Sequence, residues 1–209
     1  QHLSHYQLTL EPNTLFAAKP PHGIPEMDDA WDMQERCIEL IQAHGYGQYE
    51  VSAYAKPGKR CQHNLNYWQY GDYLGIGAGA HGKISSGASG EIMRRWKPKN
   101  PRDYIANAGT PQGIGGDELI KLNARPFDYM LNTLRLVDGF SLNDFEYRTG
   151  LDRAVIQDKL NQAIDANWLE QNGDWIKPTE LGMRFANDVM ELFLEDENNT
   201  RKLSAHLLD

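Results

Sequence analysis

A helical period set between two short strand-like runs constrains this chain more than any other feature. Met33, Cys37, Leu40, Ile41 and His44 recur at helical spacing over residues 28–44. Asp28, Asp29 and Asp32 load the start of that segment with negative charge, which suits a helix N-terminus, and Gly45 is a fitting stop. Residues 3–10 alternate before it, and 49–54 read as a strand after it. A helix of that length between two strands predicts a parallel crossover, the repeating unit of an α/β fold.

The C-terminal part has a different period. A helix is expected near 117–137, with Pro126 breaking or kinking it. Ser141 caps a short helix, and another spans about 152–167. Trp168-Leu169-Glu170 and Trp175-Ile176-Lys177 flank Gln171-Asn172-Gly173-Asp174, a hairpin signal, and Thr179 then caps a last helix to about Leu194. Helix–helix–helix–hairpin–helix is a winged-helix order. Between the halves, residues 97–116 are rich in Pro and Gly and read as a linker around a short helix at 101–107.

Two stretches carry the chemistry. His63-Asn64-Leu65-Asn66-Tyr67-Trp68 packs an imidazole, two amides and two aromatics into six residues of an expected loop, 55–72. Leu74-Gly75-Ile76-Gly77-Ala78-Gly79-Ala80-His81 reads as an apolar strand over 73–80 with alternate glycines. Such glycines serve tight packing or the close approach of a ligand. The G-x-G-x-x-G match within 77–82 lacks a following helix, so a dinucleotide site is disfavoured. His63 is either a local hydrogen bonder or a ligand for heme iron. Tyr67 and Trp68 either anchor the segment or stack on a flat ligand. Cys61 is a soft donor or a bystander, and Glu50 and Asp72 are acid/base candidates or loop-supporting hydrogen bonders.

The net charge of −8 resides in residues 117–209, with 18 acidic and 10 basic side chains, whereas 1–116 balance at 11 of each. An acidic C-terminal half argues against binding a phosphate backbone, and Asp152, Asp158 and Asp165 around Arg153 and Lys159 do not make a DNA-reading helix. The two cysteines, Cys37 and Cys61, lack framework spacing and fit a reducing compartment. No metal site is expected from them.

The runs His63–Trp68 and Gly77–His81 resemble the HNxxYW and GxGAH segments of radical-SAM proteins related to oxygen-independent coproporphyrinogen III oxidase, and most closely their heme-chaperone branch. Residues 3–14 and 48–58 and the C-terminal region fit the same family. The resemblance implies the C-terminal part of a (β/α) radical-SAM barrel over 1–96, a linker over 97–116, a winged-helix-like α+β domain over 117–195 and a tail over 196–209. It implies a heme-binding site at His63, Asn64, Tyr67 and Trp68, and contacts to S-adenosylmethionine at Thr9, Ala80 and His81. It also implies a cytoplasmic protein, membrane-associated through its partners, that delivers heme to respiratory proteins. The alternative is the oxidase itself, which decarboxylates a porphyrin precursor. The family binds its 4Fe-4S cluster through CxxxCxxC, and that motif does not occur in these 209 residues. The chain thus reads as the C-terminal half of a longer protein, inactive in radical chemistry by itself. Strand 3–10 is expected to leave an exposed edge through which copies could associate.

Overall fold

A computed structural model describes residues 1–194; the expected tail at 196–209 lies outside the described residues. The chain divides into two compact units at the Cys61–Gln62 peptide. Residues 62–96, expected to belong with those before them, therefore cluster with those after them.

The first unit holds β1 (His2–Ser4), α1 (Leu15–Ala18), α2 (Met27–Ala43), β2 (Gly47–Glu50) and β3 (Ala53–Ala55). α2 forms as its charge pattern dictates, with Asp28 and Asp29 in its first turn. Gly45 ends it at φ +79°, the left-handed conformation that costs glycine nothing. The strands correct the expected parallel layer. Residues 49–54 turn back at Val51–Ser52, so β3 runs antiparallel to β2 and inserts between β2 and β1 in the order β1-β3-β2. β1 and β2 do run in the same direction around α2, but they are not neighbours. The strand expected at 3–10 keeps only its first residues, and β1 is an edge strand.

The second unit begins with α3 (Gln62–Trp68), then β4 (His81–Ser85), β5 (Ile92–Trp96), α4 (Pro101–Asn107) and β6 (Gly116–Leu119). Strands β4-β5-β6 form an antiparallel sheet, and Tyr73 adds an isolated bridge to Lys83 on the free side of β4. α4 starts where Pro101 and the Asn100 side chain, which accepts from Arg102 N, favour it. The helix expected at 117–137 is instead β6, a single 3-10 turn and α5 (Arg125–Thr133). Pro126 lies in the first turn of α5, where its missing N–H costs nothing, so it starts this helix rather than kinking a longer one.

β7 (Phe140–Ser141), α6 (Leu142–Thr149), α7 (Ala154–Asp165), β8 (Leu169–Asn172), β9 (Trp175–Pro178), α8 (Glu180–Arg184) and α9 (Ala186–Glu191) follow. Ser141 and Thr179 cap α6 and α8 through hydrogen bonds from Asp144 N and Gly182 N. The β8–β9 hairpin closes at Gly173, and β7 pairs with β9 to complete a three-stranded wing. The last helix is broken at Phe185 into α8 and α9. The core of this unit lies between α5, α6, α7, α9 and the wing. Tyr129 makes edge-to-face contacts with Tyr70, Phe140 and Phe145 there, at centroid separations of 5.2–5.4 Å.

Candidate functional site

His63, Asn64, Tyr67 and Trp68 lie on α3, not on a loop. Helical geometry sorts them into two adjacent faces, His63 with Tyr67 and Asn64 with Trp68, each pair four residues apart. The His63 and Tyr67 rings meet edge to face at 4.8 Å, and Tyr67 lies 4.2 Å from the ring of Tyr73. His63 is exposed and makes no hydrogen bond to another described residue. Its imidazole therefore has a lone pair to offer beside a short row of aromatic rings.

The helix ends in a way that fixes this row. Tyr70 N donates to Tyr67 O at 3.0 Å and Gly71 N to Asn66 O at 2.7 Å, the double closure of a Schellman motif. The left-handed position of that motif, usually glycine, is occupied by Tyr70 at φ +59°. What holds a tyrosine there is its burial and its hydroxyl, which donates to Asp128 Oδ2 at 2.6 Å. Burial first, then the Asp128 charge, pushes the Tyr70 hydroxyl well above its ordinary range, so it stays a donor.

Around Tyr70 the sheet supplies a polar network, buried at Tyr70, Lys83 and Asp128, that the sequence did not reveal. Lys83 Nζ donates to Tyr70 O at 3.0 Å and to Asp72 Oδ1 at 3.2 Å, and lies 4.0 Å from the Tyr70 ring centroid. Asp72 also accepts from Ser85 N and Ser85 Oγ, at 2.9 and 2.8 Å. Arg94 donates to Asp128 Oδ1 from the neighbouring strand. Asp72 is thus a brace rather than an acid/base group. Glu50, the other acid/base candidate, is buried in β2 of the first unit.

The glycine-rich run corrects the expected strand 73–80. Only Tyr73 pairs, through an isolated bridge to Lys83, and Gly77 and Gly79 take φ values of +114° and +70° in a turn that delivers the chain into β4. Gly75 and Gly82 serve packing: a Cβ on Gly75 would sit 2.5 Å from His81 O, and one on Gly82 would sit 3.0 Å from Gly75 N. Three amides of this stretch are used by the protein itself. Gly77 N donates to the Tyr104 hydroxyl at 3.1 Å, Gly79 N to Pro98 O at 2.8 Å and Ala80 N to Gly77 O at 3.2 Å. With no helix following, this is no phosphate cradle. Ala80 and His81 stand at the start of β4, where the His81 ring stacks on Trp96 at 5.9 Å. Thr9 belongs to the first unit, exposed and outside any strand.

Among the described residues no three His, Cys, Asp or Glu side chains are grouped to hold a bare metal ion. A single imidazole suits a metal that brings its other ligands with it, as iron does in a porphyrin. No helix among the described residues is long and apolar enough to cross a membrane.

Comparison with known proteins agrees with these features. Residues 120–185 match the HemN C-terminal domain family. The chain is 42% identical over 196 residues to heme chaperone HemW of Haemophilus influenzae, covering 94% of this chain and 50% of that protein. It is 43% identical over 195 residues to heme chaperone HemW of Escherichia coli, covering 93% and 50%. It is 28% identical over 203 residues to that of Lactococcus lactis, covering 95% and 52%. The solved structure of coproporphyrinogen III oxidase (HemN) from Escherichia coli, described as a radical SAM enzyme, superposes with a TM-score of 0.66 at 15% identity. That match covers 92% of this chain and 47% of the oxidase, and it shows a common fold. The chain spans about half the length of the curated relatives it matches, and over that span it is similar to the heme chaperones HemW, with residues 120–185 matching the HemN C-terminal domain.

Proposed function

We propose that this chain is the heme-holding part of a heme chaperone, with His63 as ligand to the iron and Tyr67 as a wall beside the porphyrin. The observation that carries the reading is the exposed imidazole of His63, free of hydrogen bonds and braced edge-on by Tyr67. Heme is the cargo: it brings four nitrogens to the iron, and the protein adds an axial one. Asn64 lines the adjacent face of α3. The recipients would be respiratory proteins, met in the cytoplasm or at the membrane surface. Self-association through the β1 edge is a further proposal.

Thr9, Ala80 and His81 are proposed as contacts for S-adenosylmethionine. The two thiols, Cys37 and Cys61, fall short of the three that a CxxxCxxC cluster site supplies, so these residues do not fit a 4Fe-4S cluster and carry no radical step. The oxidase reading has the common fold in its favour and no feature of this site. Nucleic acid is not a proposed partner. Arg153, the natural cation for such a role, is committed to Glu146, Asp174 and Asn143 at 2.7 Å each.

The test is a titration with hemin of the wild type and His63→Ala, with circular dichroism to verify the fold. The expected result is a loss of about tenfold or more in affinity and a shifted Soret band, with Cys61→Ser changing both less. An unchanged affinity and spectrum in His63→Ala would remove it as a ligand.

A further inference from the structure

Trp68 stands beside the proposed ligand residues in sequence, but its ring faces elsewhere. The guanidinium carbon of Arg135, two residues beyond α5, lies 4.5 Å from the Trp68 ring centroid. Arg135 Nε and Trp68 Nε1 are both buried, and neither finds a hydrogen-bond partner among the described residues. A guanidinium whose Nε is buried without a hydrogen-bond partner among the described residues rests on the indole face, and that face is then not open to a flat ligand. Two residues on, Tyr70 makes a second tie, through Asp128 on α5. Both ties reach into the C-terminal domain, and both leave the His63–Tyr67 face of α3 outward.

We propose that Trp68 is a positioning residue: docked on Arg135, it fixes the rotation of α3 so that His63 and Tyr67 are presented to the tetrapyrrole. The proposal rests on the heme reading above and assigns the C-terminal domain a role in it, as the anvil against which the ligand helix is set. A cation over an indole is electrostatic in origin, so a lysine at 135 keeps part of the effect and a leucine removes it.

The experiment compares wild type, His63→Ala, Trp68→Leu, Arg135→Leu, Arg135→Lys and the Trp68→Leu/Arg135→Leu double variant of the full chain. Each is titrated with hemin and followed by amide hydrogen exchange without it. Trp68→Leu and Arg135→Leu should each weaken hemin binding about three- to tenfold and broaden the Soret band. The double variant should be no worse than either single one, and Arg135→Lys should restore most of the binding. Without hemin, Arg135→Leu should speed exchange across residues 62–68 while the amides of α6 and α7 keep their protection. If Arg135→Leu binds hemin like the wild type while Trp68→Leu does not, Trp68 touches the ligand directly and the proposal fails. It fails equally if the two losses multiply or if exchange in α3 is unchanged. A wild type that does not bind hemin, or a His63→Ala that binds it unchanged, overturns the heme reading instead, and the exchange result still decides whether Arg135 positions α3.

Discussion

Tyr70→Phe isolates one hydrogen bond in the network that holds α3. The ring is 1% exposed, its edge meets Tyr129, and Lys83 sits over its face. Phenylalanine keeps those contacts and the same left-handed backbone, and it loses only the hydroxyl. Asp128 is 8% exposed, so Oδ2 loses its 2.6 Å donor with little water to replace it, while Oδ1 keeps Arg94. A hydrogen bond to a charged acceptor contributes about 1.5–3 kcal/mol. The expected loss is about 2 kcal/mol, a fall in Tm of roughly 4–8 °C for a chain of this size. Urea unfolding followed by tryptophan fluorescence measures it, since Trp68, Trp96, Trp168 and Trp175 all lie in the second unit. The midpoint should fall with the slope unchanged. A loss below about 0.5 kcal/mol would show that the hydroxyl–carboxylate pair is not what keeps Tyr70 in place.

Two further outcomes are expected. Gly139→Ala should cost at least about 2 kcal/mol, because Gly139 has φ +73° and a Cβ there would run into Ile176 O of the wing; a Tm within a degree of wild type would refute the close approach. Ser85→Ala should make stability less sensitive to acid. Burial opposes the Asp72 carboxylate, but the Ser85 amide and hydroxyl and the Lys83 ammonium outweigh it and hold its folded pKa below the ordinary value. Its contribution is therefore full above the unfolded value of about 4 and lost as pH falls through the lower folded value. Melting curves from neutral pH down to about pH 2.5 should show wild type and Ser85→Ala converging at the acid end; a constant gap would contradict the linkage.

The legible parts of this fold are those written in neighbouring residues. The acidic start and glycine stop of α2, the Asn100–Pro101 start of α4, the Ser141 and Thr179 caps and the turn at Gly173 each use groups within a few positions of one another. The resemblance to the HemN-related proteins was legible too, in the HNxxYW and GxGAH runs, and the comparisons bear it out. The parts that misread depend on distant partners. Residues 62–68, with two asparagines and two bulky aromatics, have weak helix propensity, and this short helix draws on ties to α5 and on a tyrosine in a glycine's conformation. The run 74–80 has the apolar character of a strand, but two of its glycines take positive φ and turn it. Asp72 reads only as an acid/base candidate or a loop-supporting hydrogen bonder, Lys83, Arg94 and Asp128 carry no pattern of their own, and nothing local announces that the four meet.

The separation of those partners along the chain also sets a clock. Tyr70 precedes Asp128 by 58 residues, so on the ribosome the turn after α3 is made roughly 3–12 s before the carboxylate that secures it, at the usual ~5–20 residues per second. Arg135 follows Asp128, and the cushion for Trp68 is later still. Through that interval α3 is a short, weakly biased segment with nothing to rest on, and its imidazole has no defined direction. The proposed heme-facing surface can mature only once the C-terminal domain has been synthesised, which would keep cargo from being captured by a nascent chain.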